Sequence, residues 1–209
     1  MNPWIEINLN DYENHMKLQS VYQLQTMNKL MFNQLNEYKA TTVMILGVAG
    51  GNGLNHVDKK KIKVLYGVDI NNDYLNECKR RYDFLGDILT LIHTDLLSEE
   101  CVLPKSDLVI ANLLVEYIGY DIFVKRIKQI NPNYVSVVIQ INDNYNFVSD
   151  SPYVQAFQRL NEVHHQVSEI EMTNSMNSIE YDLILHKDEK LPNGKRLVRL
   201  DYEKASKLK

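Results

Sequence analysis

The sequence has few cysteines and no long apolar runs, and both absences narrow the classes of protein it can encode. The two cysteines in 209 residues, Cys78 and Cys101, have no close spacing, so no disulfide scaffold is expected. No charged and then apolar leader is visible at the N-terminus, which favours a reduced, cytoplasmic setting. The longest apolar runs reach about five or six residues, far short of the roughly 20 that cross a bilayer. We therefore expect a soluble protein with no membrane partner.

An excess of basic charge is also absent. Lys and Arg number 23 against 27 Asp and Glu, and the formal net charge is −4. This charge balance provides no general attraction to phosphate backbones, although a local basic patch could still attract them. The main basic cluster, DKKKIK at 58–63, is more typical of a solvated loop. The adjacent His164 and His165 lack Cys or acidic partners at a metal-ligand spacing. We expect no nucleic-acid partner and no metal, and the oligomeric state stays unknown.

The hydrophobic pattern changes near residue 41. Before it, apolar residues recur at helical spacing over 10–37, and Asn10 with Glu13 has the form of a capping box, which predicts a helix beginning there. The length fits one domain. We interpret 1–209 as a single domain, with a helical N-terminal cap at 1–40 and an α/β core at 41–209.

The core region alternates short apolar runs with longer helical stretches, which is typical of parallel strands joined by crossover helices. After residue 163, IEYDLILH and KRLVRLDYE flank the turn formers of KDEKLPNG, which predicts an antiparallel hairpin. The expected fold is therefore a doubly wound, mostly parallel sheet with an antiparallel C-terminal hairpin. Strands are predicted at 42–47, 63–68, 88–93, 107–111 and 134–141, and helices at 72–84, 116–130 and 153–162.

Glycine is scarce, with eight in the chain, yet half of them follow the first predicted strand in VMILGVAGGNGLNHV. They are Gly47, Gly50, Gly51 and Gly53. Ligands of parallel α/β sheets bind outside the carboxyl ends of the strands, where bare backbone and the next helix N-terminus can contact them. A tight turn that requires positive φ is the alternative. No register supplies Gly-x-Gly-x-x-Gly or a loop ending in Gly-Lys-Ser/Thr, so cofactors bound through phosphates are disfavoured.

Acidic residues end or follow the next two predicted strands. Asp69 closes KVLYGVD, where a carboxylate can accept hydrogen bonds from both hydroxyls of a ribose. Asp95 follows the third strand in LTLIHTDLL, where it could accept a bond from an adenine amine. Solvation or helix capping is a fair alternative for Asp69 alone. Taken with the glycine loop, the two acids favour a ligand that contains a nucleoside.

At these residues the chain resembles the class I S-adenosylmethionine-dependent methyltransferases, over roughly residues 41–145. ILGVAGGNG is similar to the family's first motif, and SDLVIANLLVEYIG resembles its fourth-strand motif. The resemblance implies a Rossmann-like, seven-stranded sheet and S-adenosyl-L-methionine as cofactor. It also implies that Asp69 holds the ribose, Asp95 holds the adenine and Asn112 faces the transferable methyl. The implied cofactor-binding residues are Gly47, Val48, Ala49, Gly51, Asp69, Ile70, Asp95, Leu96 and Asn112.

Departures from the family pattern limit what the resemblance implies. Ala49 stands where many members have glycine, and Ile45 stands where an acid often precedes the first glycine by two residues. The Asn-Pro-Pro-Tyr tetrapeptide of enzymes that methylate amino groups of adenine or glutamine is missing. ANLLVEY shares only its asparagine, so that activity is not carried over.

An in-line methyl transfer depends mostly on how the acceptor is positioned, and a base helps when the acceptor is a hydroxyl or a protonated amine. Glu116 and His93 are the candidates, although a place in the first turn of a helix for Glu116 and a buried structural role for His93 are the commoner explanations. The catalytic residues therefore stay unknown. The N-terminal segment is the natural cover for an acceptor, although its aromatic and Met residues are also typical of a core. The candidate substrate-binding residues are Trp4, Tyr12, His15, Glu116 and Tyr117, with Met16 and Tyr120 beside them.

The predicted function is that of an enzyme, an S-adenosylmethionine-dependent methyltransferase acting on a small molecule. One alternative is a member of the same fold that binds the cofactor or a protein without transferring methyl. Another is a nucleic-acid methyltransferase, against which the acidic charge balance counts modestly. A nicotinamide-dependent oxidoreductase shares the sheet but does not fit the glycine spacing.

Overall fold

A computed structural model describes residues 2–142 and 147–206, and their strands form one seven-stranded sheet. Five strands run parallel and two form a C-terminal hairpin. The strands are β1 (Thr42–Leu46), β2 (Val64–Asp69), β3 (Leu89–His93), β4 (Leu108–Asn112), β5 (Tyr134–Ile141), β6 (Tyr181–Lys190) and β7 (Arg196–Lys204). Their order is β3-β2-β1-β4-β5-β7-β6, and β7 runs antiparallel to both neighbours. The predicted sheet, its five parallel strands and its terminal hairpin are confirmed.

The centre of the sheet is the point at which the strand order reverses. Leu46, the last residue of β1, pairs with Val68 of β2 on one side and with Ala111 of β4 on the other. The segments that leave β1 and β4 must diverge to opposite faces of the sheet, which leaves a crevice beyond their carboxyl ends. This crevice is where a ligand of such a fold is expected.

The helices depart from the prediction mainly near the N-terminus. The helices are α1 (Leu9–Lys17), α2 (Gln23–Glu37), α3 (Asn72–Arg81), α4 (Val115–Ile130) and α5 (Glu169–Asn177). The single helix expected at 10–37 is wrong, because the chain breaks before Tyr22, which adopts a left-handed φ of 53°. The capping box is wrong too. Asn8 caps α1 by accepting the Asn10 N–H at 2.8 Å, while Glu13 forms an ion pair with Arg81.

Two other helical segments also differ from expectation. The segment predicted as a helix at 153–162 is a 3-10 helix, Val154–Glu162, and the one predicted at 72–84 ends as an α-helix at Arg81. Helix α5 was not predicted. Its apolar residues Met172 and Met176 are four apart and fully buried, but the segment is short and otherwise polar.

The sheet is covered on both faces, as its continuous apolar strands require. On one face, Met44 and Leu46 of β1 pack in a core with residues of α4 and α5 such as Phe123 and Met176. On the other face, Val43 and Ile45 join residues of α2 and α3. The alternation along β1 follows from the two-residue period of a strand.

The connection from β1 to β2 has no α-helix. The segment after the glycine loop forms only a one-turn 3-10 helix, Leu54–His56, so the expected helix N-terminus beneath a ligand is absent there. Helix α2 covers this part of the sheet instead, with Met31 and Leu35 in the same core as Leu54 and Ile45.

None of the helices in the described ranges is long and apolar enough to cross a membrane. The lysines of DKKKIK make local contacts: Lys59 and Lys61 each donate to a main-chain carbonyl, at 2.7 and 2.9 Å. The division into a cap at 1–40 and a core at 41–209 within one domain stays a prediction.

Candidate active site

A cleft lies beyond the carboxyl ends of β1, β2 and β4, at the reversal of strand order. It encloses about 690 Å³ of space free of protein atoms, part of it open to solvent. Seven of the nine predicted cofactor residues line it, and Trp4, Tyr12 and Tyr117 of the predicted substrate residues do so too. The seven are Gly47, Ala49, Asp69, Ile70, Asp95, Leu96 and Asn112.

The glycine loop contacts the cleft through only part of its length. Gly47, with a φ of 71°, lines the cleft directly after β1. A Cβ on Gly51 would stand 2.6 Å from the Tyr82 ring, and one on Gly53 would stand 2.6 Å from Met31 Cβ. Gly50 is crowded in the same way by the Glu13 and Arg81 side chains. The density of glycines therefore reflects close packing against the protein as much as an approach to a ligand.

Asp69 is held at the cleft by main-chain hydrogen bonds. Its Oδ2 accepts the N–H of Ala49 at 2.8 Å, and its Oδ1 accepts the N–H of Asn71 at 2.9 Å. Ala49 takes a left-handed φ of 47° in doing so, a conformation that glycine adopts more easily. Burial raises the pKa of Asp69, and the main-chain bonds oppose that rise. Each carboxylate oxygen keeps a further lone pair for a ligand.

Asp95, which follows β3, also lines the cleft. Its Oδ1 accepts the N–H of Leu97 at 2.8 Å, which fixes the side chain in a tight turn. Ile70, Thr94 and Leu96 complete this part of the wall. Two carboxylates from neighbouring strands thus share one apolar cleft, as the carboxyl ends of parallel strands allow.

Asn112 lies at the end of β4, with its amide engaged by the protein. Its Oδ1 accepts from Gln34 Nε2, and its Nδ2 donates to Gln34 Oε1, both at 2.9 Å. Gln34 of α2 is fully buried and also donates to Ser136, which in turn donates to Asp201. The sequence pattern did not identify Gln34, because this residue lies in α2, whose apolar residues indicate only a helix that covers the sheet. Its amide ties α2 to the cleft and occupies the side chain of Asn112.

Tyr74 is a second cleft residue that sequence reasoning missed. Its side chain is 2% exposed, and its hydroxyl has no hydrogen-bond partner among residues 2–142 and 147–206. The ring lies nearly parallel to that of Tyr12, with centroids 6.3 Å apart. A buried hydroxyl without a partner costs free energy, so this group is available to a polar ligand in the cleft.

The N-terminal residues cover the cleft. The ring of Trp4 meets the rings of Tyr117 and Tyr12 edge to face, at 4.8 and 5.6 Å between centroids. Asn71, the buried N-cap of α3, donates its side-chain N–H to the Trp4 carbonyl at 2.9 Å. Since the Asn71 main chain also donates to Asp69, the cover and the β2 carboxylate share one residue. The part of the N-terminal segment that includes Trp4 and Tyr12 thus lies at the strand ends, whereas α2 covers one face of the sheet.

A second cavity adjoins the first beneath the same cover. The two share Trp4, Tyr12, Leu113 and Tyr117 in their walls. The second encloses about 550 Å³, again partly open, and is lined by the predicted His15, Met16 and Glu116. Its remaining wall residues include Gln140, Phe147, Phe157 and His164. The predicted substrate residues thus meet around a space that opens beside the cleft.

Glu116 is the acidic group in the wall of the second cavity. It is 3% exposed; its Oε1 accepts the Gln140 N–H at 2.7 Å, while its Oε2 has no partner within the described part of the chain. Gly119 takes a φ of 74° and breaks α4 after its first turn, which sets the turn carrying Glu116 apart. Burial raises the pKa of Glu116 to about 7. A carboxyl poised near neutral pH is suited to proton transfer.

Burial lowers the pKa of each basic group near this cavity. Burial, together with the charge of Lys195, lowers the pKa of His15, whose Nδ1 is 2.7 Å from Ser151 Oγ. Burial also lowers the pKa of His164, which stacks on Phe147 with centroids 3.8 Å apart. Burial lowers the pKa of Lys195 itself to about 8, and its ammonium donates to the Phe147 carbonyl.

Comparisons with known proteins identify the fold. No family model and no curated protein matches the chain, but solved structures do. A geranyl diphosphate methyltransferase in complex with S-adenosylmethionine matches with a TM-score of 0.64 and 13% identity, covering 86% of this chain and 85% of that one. The methyltransferase domain of bacterial-CtHen1-C matches with a TM-score of 0.64 and 19% identity, covering 95% and 100%. The cyclase SpnF matches with a TM-score of 0.66 and 9% identity, covering 88% and 83%.

The chain has the class I methyltransferase fold. Its strand order, with β7 inserted antiparallel between β5 and β6, is the seven-stranded arrangement that the sequence resemblance implied. At these identities the likeness concerns the fold alone, and one of the matched structures is a cyclase. Function must therefore be argued from the site.

Some predicted residues lie outside the two cavities of this methyltransferase fold. Val48 is buried beside Gly67 in the sheet core, and Gly51 packs on Tyr82. His93 is exposed, with Nε2 2.9 Å from the Ile70 carbonyl, and Tyr120 contacts Ser168. Across the described ranges, no three His, Cys, Asp or Glu side chains come together as a metal site. That no metal binds stays a prediction.

Proposed function

We propose that this protein is an S-adenosylmethionine-dependent methyltransferase that acts on a small molecule. The observation that carries the proposal is the convergence of Asp69 and Asp95 on one cleft, next to the bare backbone of Gly47. Asp69 has a free lone pair on each oxygen for the ribose hydroxyls, and Asp95 in the wall of the same cleft can accept a hydrogen bond from the adenine amine. The solved methyltransferase that this chain resembles in fold contains S-adenosylmethionine.

The local structure after β1 supports this cofactor over a dinucleotide. Dinucleotide sites place the pyrophosphate on the N-terminus of the helix that follows the glycine loop. Here only the 3-10 turn Leu54–His56 follows, and Leu54 is fully buried. S-adenosylmethionine has no phosphate to bind, and it would supply a methyl group already activated by its sulfonium.

The second cavity supports a small acceptor. It meets the first cleft at Leu113 and Tyr117, directly after β4, where the resemblance places the transferable methyl. Trp4 and Tyr12 line both spaces, and any water that they exclude strengthens polar interactions there. We propose further that the acceptor is not a nucleic acid, that no membrane partner is involved and that the protein is cytoplasmic.

Substitution of Asp69 tests the cofactor assignment. Asp69→Ala removes charge-assisted hydrogen bonds worth roughly 1.5–3 kcal/mol each, so affinity for S-adenosylmethionine should fall at least about tenfold. Asp69→Asn should be milder, since the amide keeps one acceptor oxygen. The measurement is titration calorimetry with S-adenosylmethionine and, in parallel, with NAD.

Asp73→Ala is the matched control. Asp73 is an exposed acid in the first turn of α3, four residues from Asp69, and it does not line the cleft. The Asp73→Ala substitution should leave the affinity for S-adenosylmethionine unchanged. Binding of NAD alone by the wild type, or an unchanged affinity for S-adenosylmethionine in Asp69→Ala, would refute the proposal.

A further inference from the structure

We propose, resting on the methyl-transfer function above, that the second cavity takes a planar, ring-sized acceptor with a neutral hydroxyl group and that Glu116 is the base that receives its proton. The geometry of the carboxylate is the first support. Oε1 is fixed by the Gln140 N–H at 2.7 Å, so Oε2 is the oxygen left for a ligand. The His165 N–H also donates to the Glu116 carbonyl at 2.6 Å, which holds this turn against the segment carrying His164.

The walls of the cavity indicate a planar acceptor. Five aromatic side chains line it: Trp4, Tyr12, Tyr117, Phe147 and Phe157. Edge-to-face contacts fix these rings, with Trp4 and Tyr117 at 4.8 Å and Tyr117 and His164 at 5.9 Å between centroids. Rings held in this way favour stacking and edge contacts with another flat, apolar ring.

Charge decides between a hydroxyl and an ammonium group. Aromatic rings with one carboxylate would by themselves also suit a cation. Lys195, however, is 7% exposed, and its ammonium donates to the main-chain carbonyl of Phe147, a residue of the cavity wall. A buried ammonium that close disfavours a second cation. A neutral hydroxyl group can still donate its hydrogen bond to Glu116.

The proposed step balances without a further reactant. The acceptor oxygen forms a bond to the methyl carbon as the bond from that carbon to the sulfonium breaks, and the bonding pair passes to sulfur. The hydroxyl proton moves to Glu116 Oε2. The carboxyl pKa of about 7 agrees with this role, since the group is substantially ionised at neutral pH and can hold the proton afterwards.

Binding of 4-methylphenol and of its methyl ether, 4-methylanisole, tests the proposal with the first cleft filled by S-adenosylhomocysteine. At pH 8 the wild type should bind the phenol at least about tenfold more tightly than the ether, as expected for a hydrogen bond to a charged acceptor. In Glu116→Gln the carbonyl keeps the Gln140 bond and an N–H₂ replaces Oε2. That group donates to either probe, so the preference should fall below about threefold.

The control is Glu162→Gln, which changes an exposed carboxylate of the 3-10 helix Val154–Glu162 outside the cavity and should keep the preference. The preference should also rise from pH 6 to pH 8 in the wild type and stay flat in Glu116→Gln. The other titratable groups that line the cavity are Tyr12, His15, Tyr117 and His164, and the charge of Lys195 acts on the two histidines; both variants retain all of these groups.

The outcomes separate this inference from the proposed function. If S-adenosylhomocysteine does not bind the wild type, the methyl-transfer function fails. If it binds but the phenol shows no preference over the ether, or the preference survives in Glu116→Gln, the role of Glu116 is wrong. Tighter binding of 4-methylbenzylamine, which is cationic at this pH, than of 4-methylphenol would overturn the neutral acceptor.

Discussion

At the scale of single residues, two carboxylates, Asp69 at the end of β2 and Glu116 in the first turn of α4, are held in different ways. Asp69 accepts a main-chain hydrogen bond on each oxygen, which favours its ionised form against the effect of burial. Glu116 accepts such a bond on one oxygen only and lies in an aromatic cavity. The environments suit an anion that binds hydroxyl groups in the first case and a proton acceptor in the second.

The raised pKa of Glu116 predicts a pH dependence of stability. Its ordinary value is about 4.3, and burial raises the pKa of the folded group to about 7. The folded state therefore keeps a proton that the unfolded state releases, and the free energy of unfolding should fall as pH rises through this window. The loss amounts to roughly 3 kcal/mol.

Urea denaturation between pH 4.5 and 7.5 measures this effect as a difference between wild type and Glu116→Gln. His15 and His164 have lowered pKa values and push stability the other way below pH 6.5, but they are present in both proteins. The difference curve therefore isolates the carboxyl. Parallel curves over the whole range would contradict the assignment.

At the scale of elements, contact with α2 restricts the glycine loop. Gly53 combines a φ of 95° with a Cβ position 2.6 Å from Met31 Cβ, so Gly53→Ala should suffer both backbone strain and overpacking. Gly194, in the β6–β7 turn, has a φ of 84° and open space at its Cβ position. Its Ala variant should cost about 1–2 kcal/mol from strain, and Gly53→Ala should cost about 1–3 kcal/mol more.

Thermal or chemical denaturation of the two variants decides this point. A larger loss in Gly53→Ala shows that contact with α2 requires this glycine. Equal losses would mean that the backbone conformation alone requires glycine at position 53, and that the loop relaxes away from Met31.

At the scale of the whole molecule, the N-terminal cover joins the two cavities. Trp4 is the single tryptophan of the chain and lies in the wall of both. Because Asn71 connects the Trp4 carbonyl to the Asp69 carboxylate, a ligand held by Asp69 should change the surroundings of the indole. We expect S-adenosylhomocysteine to shift Trp4 fluorescence in the wild type, with the midpoint of the titration displaced at least about tenfold in Asp69→Ala. Unchanged emission at saturation would show that the cover does not respond to the cleft.

The sequence by itself determined the sheet and the positions of its strand ends. Continuous apolar, β-branched runs predict strands because both faces of a parallel sheet are buried. Once those runs are placed, Asp69 and Asp95 fall at their carboxyl ends, where a ligand of this fold binds. These inferences use only neighbours along the chain, so a single sequence suffices.

Tertiary structure alone decided which side chains meet at the site. The side chain of Gln34 in α2 contacts Asn112, which is 78 positions away in the sequence. Contact with Met31, also in α2, accounts for the glycine at position 53. The hydroxyl of Tyr74 and the Oε2 of Glu116 matter because packing leaves them buried and unpartnered within the described ranges. Burial and hydrogen-bond satisfaction depend on residues distant in the chain, and local patterns carry no record of those neighbours.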